Sequence, residues 1–195
     1  VRIYQNNNGT WQQIGSDIDG EAANDESGYS VSLSDDGSVV AIGAYKNDGN
    51  GSNSGHVRIY QNNSGTWQQI GSDIDGEAAN DESGYSISLS GDGSVVAIGA
   101  FRNDGNGDAS GHVRIYQNNS GTWQKIGSDI DGEAVNDESG YSVSLSDDGS
   151  IVAIGAYRND GNGDASCHVR IYQNNGGTWQ KIGSDIDGEA ASDYS

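Results

Sequence analysis

Apolar and polar positions alternate in short runs along this chain. From Tyr85 to Ser90, the side chains of Tyr85, Ile87 and Leu89 fall on one side and three serines on the other, the period of a half-buried strand. A Gly-Asp-Gly turn at Gly91–Gly93 leads into "SVVAIGA" (Ser94–Ala100), a nearly continuous small-apolar run that predicts a strand buried on both faces. After a Gly/Asn/Asp-rich loop, His112–Gln117 alternates again, with Val113 and Ile115 opposed to Arg114 and Tyr116. The turn at Asn119–Gly121 is a hairpin signal that returns the chain as "TWQKIG" (Thr122–Gly127). These four predicted strands, termed a, b, c and d, make an antiparallel meander. No segment carries a helical apolar stripe, and the Gly and β-branched content disfavours one.

The meander recurs. Val1, Val57, Val113 and Val169 each open "VRIYQNN", a period of 56 residues with no change of length. A four-stranded unit at such a period predicts an all-β fold of tandem four-stranded antiparallel blades, a β-propeller or an open propeller-like stack, because one blade cannot cover both of its apolar faces. The chain reads as 3.5 repeats: strands c and d over 1–28, then blades over 29–84, 85–140 and 141–195. An opening in the middle of a motif reads as part of a longer array.

"SGYSVSLS" (Ser27–Ser34) followed by "VVAIGAY" (Val39–Tyr45) resembles the FG-GAP repeat of integrin alpha-subunit propellers and their microbial and algal relatives. In that family a Phe-Gly precedes strand a and a Gly-Ala-Pro ends strand b. Gly28 and Gly43-Ala44 match, whereas Ser27 replaces the Phe and Tyr45 the Pro. The resemblance implies an extracellular or cell-surface protein used for adhesion, binding or scaffolding, with no catalytic role. The family's calcium loop lies between strands a and b; here that connection is only "SDDGS" (Ser34–Ser38), too short to wrap an ion with six or more oxygens, so that site is not carried over.

Composition complicates this picture. Leu, Ile, Val and Phe number 33 of 195 residues beside a net charge of −20, a pairing typical of disorder. Four Trp, ten Tyr and the clean alternation argue instead for an ordered chain. The excess of 29 acidic over 9 basic residues argues against a nucleic-acid partner. No apolar run approaches the roughly 18 residues of a membrane span, so no membrane insertion is expected.

Of the 29 acidic residues, 19 fall in the d–a connections and 5 in the b–c connections. Both emerge on one side of an up-and-down blade, and crowded like charges need cations or a basic partner to offset their repulsion. Calcium is the expected cofactor. In "DGNGDAS", Asp104, Asn106 and Asp108 alternate as in the first half of an EF-hand loop. Asp160, Asn162 and Asp164 repeat this, and Asp48 and Asn50 do so with Ser52 at the third position. Three local oxygens are too few, so Asp129, Asp131 and Asp137 of the neighbouring Ser128–Gly140 segment are expected to contribute. The competing reading is that Asp, Asn and Gly simply favour turns and keep a surface soluble.

Trp11, Trp67, Trp123 and Trp179 recur at the start of strand d; packing between blades is the expected use, stacking on sugars the alternative. His56, His112 and His168 recur before strand c, whereas a catalytic histidine is needed once. Cys167 replaces Gly55 and Gly111 of the other copies and reads as drift or as an intermolecular link. Asn8, Asn50, Asn62 and Asn118 open glycosylation sequons, in keeping with secretion. The expected protein is therefore a non-enzymatic extracellular structural or adhesive repeat protein. Its acidic face binds calcium or a protein partner at the cell surface. The alternatives are a glycan-binding propeller and a filament-forming surface protein that self-associates through unpaired terminal blades.

Overall fold

A computed structural model describes residues 1–192. Among them all regular structure is β, and no helix is long and apolar enough to cross a membrane. A hairpin of β1 (Tyr4–Asn7) and β2 (Thr10–Gln13) supplies strands c and d of a half-blade. The first complete blade follows as β3 (Ser30–Leu33), β4 (Val39–Ala44), β5 (His56–Asn63) and β6 (Thr66–Gln69), hydrogen-bonded in that order. The second blade runs from β8 (Ser86–Leu89) and the third from β13 (Ser139–Leu145), with the same strand order.

The outer strand differs from the sequence expectation. It does not end at the glycine after "TWQQI". The Ile70 amide still donates to Ile59 O at 2.8 Å, and the chain bends out at Gly71, where φ is +72°. It then returns as β7 (Ile74–Asp75), pairing Ile74 with Val57. Asp75 therefore lies within a strand and Asp73 directly before it, rather than in a free loop.

Strand b is the centre of each blade, and all six residues of β4 are buried. One face of the first blade (Val39, Ala41, Val57, Ile59, Ile74) packs against Leu89, Val96 and Ile98 of the second. The same seam forms between the second and third blades. Leu89, with a complete blade before it, is 7% exposed, whereas Leu33, at the same position behind the half-blade, is 49% exposed. Burial is thus supplied by the neighbouring sheet and not by the blade itself. At the perimeter, Trp123 packs on this seam and its Nε1 donates to Ile70 O at 2.9 Å. Trp11, which has no blade before it, is 66% exposed.

Toward the inner edge the seam is built of backbone. Ser86 Oγ donates to Gly140 O of the next blade at 2.7 Å, and the Leu145 amide donates to Ser88 Oγ at 3.0 Å. A Cβ on Gly99 of strand b would lie 2.1 Å from the same Gly140 carbonyl oxygen. Gly140 itself has φ +86°. The glycine that ends strand b and the glycine that precedes strand a of the next blade meet because neither carries a side chain. The strand-a serines of the first two complete blades thus point into a seam, whereas Ser142 and Ser144 of the third are exposed.

The short a–b turns close on themselves. Asp92 Oδ1 accepts from the Ser90 hydroxyl and the Ser94 amide, and Ser90 Oγ accepts from the Val95 amide. In the third blade the hydroxyls of Ser146 and Ser150 and the Ser150 amide all donate to Asp148, holding its carboxyl down at about 2.

Truncating Trp123 to Ala is expected to cost about 3–5 kcal/mol, and Trp11→Ala about 0.5 kcal/mol or less, measured as denaturant unfolding free energies. A carboxyl depressed in the folded state contributes stability that is complete above its unfolded value of about 4 and is lost as pH falls through about 2. Asp148→Asn should therefore melt below the parent at neutral pH and converge with it in strong acid, in thermal melts across that range.

Candidate functional site

The b–c and d–a connections meet on one side of the blades. Gly55 bridges in parallel to Ser83, and Gly111 to Ser139. Asn106 Nδ2 donates to Gly132 O at 2.8 Å and Glu133 O at 3.0 Å, and Asn50 and Asn162 make the corresponding bonds. The loops are locked to each other by amides before any ion is considered.

The carboxylates are likewise engaged by the chain. Asp104 Oδ1 accepts from the Ala109 amide at 2.8 Å, closing its own loop, as Asp160 does with Ala165 and Asp48 with Asn53. Asp137 is buried, and its Oδ2 accepts from the Ala134 amide and from Asn159 Nδ2. Asp129 pairs with Lys125 at 2.7 Å beside the outer strand, and Asp131 stands 4.0 Å from His112 Nδ1. Of these three, Asp131 lies beside the "DGNGDAS" loop, its Oδ1 3.3 Å from where a Cβ on Gly105 would stand, Asp137 is bonded to Asn159 at the start of the next blade's loop, and Asp129 stays with Lys125 on the outer strand, so they are not brought together around one loop. Asp104 and Asp108 line a cleft of about 350 Å³ with Asn136, Glu138 and Arg158. Asp160 and Asp164 line the next, of about 440 Å³, with Asn136 and Arg158. Among the described residues, no three carboxylate, imidazole or thiolate ligand atoms within 4.8 Å of one another include any of these four aspartates.

A second concave site lies where the inner strands converge. Tyr29, Tyr85 and Tyr141, one from each blade, are joined by hydroxyl hydrogen bonds of 3.0 and 3.2 Å. Their rings alternate with Tyr45, Phe101 and Tyr157 at the ends of the b strands, at centroid distances of 4.4 to 5.5 Å. A rim of charge surrounds them: Lys46 with Glu26, Arg102 with Glu82 and Arg158 with Glu138. Burial pushes the Glu82 and Glu138 carboxyls up, whereas Lys46 holds Glu26 down. The space enclosed is about 400 Å³, within the size range of small-molecule sites. Aromatic faces rimmed by donors and acceptors suit a polyhydroxylated or cationic ligand.

Sequence reasoning places Arg114 on the polar side of strand c, but it is 5% exposed. Its Nη2 donates to Asp75 O of the preceding blade at 2.7 Å, and Arg58 makes the same bond to Asp19 O. The signal available was position: an arginine copied into every blade between two buried residues. The histidines are buried too, which pushes their imidazoles down, His112 to about 4 with the Arg114 charge adding to the effect. The Cys167 thiol is buried and donates to Tyr157 O.

Solved structures similar to this chain share its fold at low sequence identity. A candidate 6-phosphogluconolactonase from Bacteroides uniformis superposes with a TM-score of 0.64 at 16% identity, over 96% of this chain and 49% of its own. Hydrazine synthase from Kuenenia stuttgartiensis gives 0.55 at 10% identity, over 91% and 39%. Sqt1 from Saccharomyces cerevisiae gives 0.52 at 14%, over 87% and 38%. The chain thus spans half or less of the length of each, and at these identities the likeness shows the fold alone. A search of curated proteins finds no match. The FG-GAP repeat profile matches residues 17–60, 73–116 and 128–172, one stretch per blade, and the Gly99–Gly140 seam gives its two glycines their physical role. Three matched blades with that shared seam place the chain in the FG-GAP repeat family.

Proposed function

We propose that this chain is a non-catalytic binding scaffold of an extracellular or cell-surface protein, whose acidic loop face docks a cation or a basic protein surface. The observation that supports this most is the pair of inter-blade clefts walled by Asp104 and Asp108 and by Asp160 and Asp164. These four residues of the b–c connections are exposed, whereas Asp81 and Asp137 of the adjoining d–a connections are buried in fixed hydrogen bonds. A site repeated at the blade spacing favours a repetitive or multivalent partner, whose successive contacts become intramolecular once the first is made. The histidines and the strand-c arginines recur with the blade, which suits binding better than a reaction centre assembled once.

The loop carboxylates already accept from backbone amides, and on this reading calcium is a loosely held screening ion. Calorimetric titration of calcium is expected to give a dissociation constant of about 10⁻⁴ to 10⁻³ M, as in other extracellular modules, weakened in an Asp104→Ala, Asp108→Ala variant. Unchanged heat in that variant would remove these carboxylates from cation binding.

A glycan-binding reading keeps one specific support, the tyrosine-lined mouth; the tryptophans no longer provide it, since Trp67, Trp123 and Trp179 bond to the preceding blade. Saccharide titration monitored through the tyrosine ring resonances should shift Tyr85 and Tyr141 together if sugars bind there, and Tyr85→Ala should abolish the response. A spectrum indifferent to sugars disposes of this reading.

A further inference from the structure

At each seam between blades a buried imidazole faces two carboxylates. His56, at the start of strand c, has a side chain only 2% exposed, and its Nδ1 lies 3.8 Å from Glu21 Oε2 and 3.8 Å from Asp73 Oδ2. It makes no hydrogen bond to either, and all three ligand atoms lie within 4.8 Å of one another. Glu21 belongs to the connection leaving the half-blade, whereas His56 opens strand c of the first complete blade and Asp73 lies between its β6 and β7. Glu77, His112 and Asp129 repeat the group at the next seam, and Glu133, His168 and Asp185 at the one after.

We propose that the Glu21, His56 and Asp73 group is a site for an imidazole-preferring divalent metal ion of the zinc class, which clips the half-blade to the first complete blade. Ligand atoms 3.8 Å apart are close to the edge of about 3.4 Å expected for tetrahedral ligation with bonds near 2.1 Å. A buried nitrogen with two carboxylate oxygens selects such an ion over calcium, which takes six to eight oxygens. Three protein ligands leave a fourth position to water.

The three copies are not equal. Gln69 Nε2 donates to the other Asp73 oxygen, Oδ1, at 2.5 Å, a neutral contact that orients the carboxylate and leaves Oδ2 toward the histidine. At the corresponding place Lys125 pairs with Asp129 at 2.7 Å and Lys181 with Asp185 at 2.6 Å. An ammonium on the ligand competes with a metal cation. The guanidinium of Arg58 lies on Glu21 Oε1, 3.7 Å away, leaving Oε2 to the metal side, and the equivalent arginines approach Glu77 and Glu133 more closely, at 3.5 and 3.1 Å. The first seam therefore carries the tight site and the later two are weakened copies. This inference is independent of the loop-face clefts, with which it shares no residue.

The test is titration of the whole chain, stripped of metal by chelator, with Zn²⁺ by calorimetry and with Co²⁺ by visible absorption. One tight site is expected, with a cobalt ligand-field band of tetrahedral intensity. Glu21→Gln with Asp73→Asn, both partly exposed and sparing the buried imidazole, should abolish it while the far-ultraviolet circular dichroism stays unchanged. Gln69→Lys should weaken the site by about ten-fold or more, as loss of an outer-shell partner does elsewhere. Lys125→Gln with Lys181→Gln should raise the number of tight sites. Absence of saturable Zn²⁺ and Co²⁺ binding, or binding untouched by the Glu21 and Asp73 changes, would overturn the proposal.

Discussion

A four-stranded blade has two apolar faces and no means of covering either, so every other feature of this molecule depends on the contact between successive sheets. That contact is tapered. Near the inner edge Gly99 and Gly140 lie backbone against backbone with Ser86 beside them, whereas at the perimeter Trp179, Tyr172 and Arg170 occupy the same seam. Small groups inside and large groups outside make each sheet a wedge relative to its neighbour, and wedges stacked in one sense turn about an axis. The glycines of the family signature are thus the narrow end of a geometric device.

The same seam explains how so acidic a chain stays folded. Three of its cations act between blades: Arg58, Arg114 and Arg170 donate to backbone carbonyls of the blade before. The carboxylates closest to the sheets accept from backbone amides, as Asp81 does from Ala78 N, Asp137 from Ala134 N and Asp104 from Ala109 N. A carboxylate bonded to amides is stabilised in its charged form without a counter-ion. The exposed carboxylates stand at the clefts, as Asp104, Asp108, Asp160 and Asp164 do, which is where binding chemistry can be placed at little expense to the core.

Repetition multiplies weak chemistry. An aromatic step in the mouth and an imidazole facing carboxylates occur once per blade, and a cleft with two aspartates occurs at two of them, so a ligand of matching period meets several at once. Divergence between copies then matters more than the copies themselves. The change from Gln69 to Lys125 and Lys181 alters the charge beside an otherwise identical cluster.

The amino-acid sequence by itself determined the blade. The 56-residue period, the serine-apolar alternation of strand a and the doubly buried run of strand b fix four antiparallel strands, because these are local patterns with a local physical cause. The resemblance carried by Gly28 and Gly43-Ala44 was equally legible. What only the tertiary structure decided are the partners across the seam: that the serines bond the next blade, that Arg114 is buried, that the outer strand breaks at Gly71 and resumes, and that Glu21 meets His56 and Asp73. The alternating Asp and Asn of the "DGNGDAS" loop gave a ligand pattern in sequence, yet their amides and carboxylates turn to neighbouring backbone. Such contacts join residues far apart in the chain, and no periodicity within one strand records which atoms a neighbouring sheet will present.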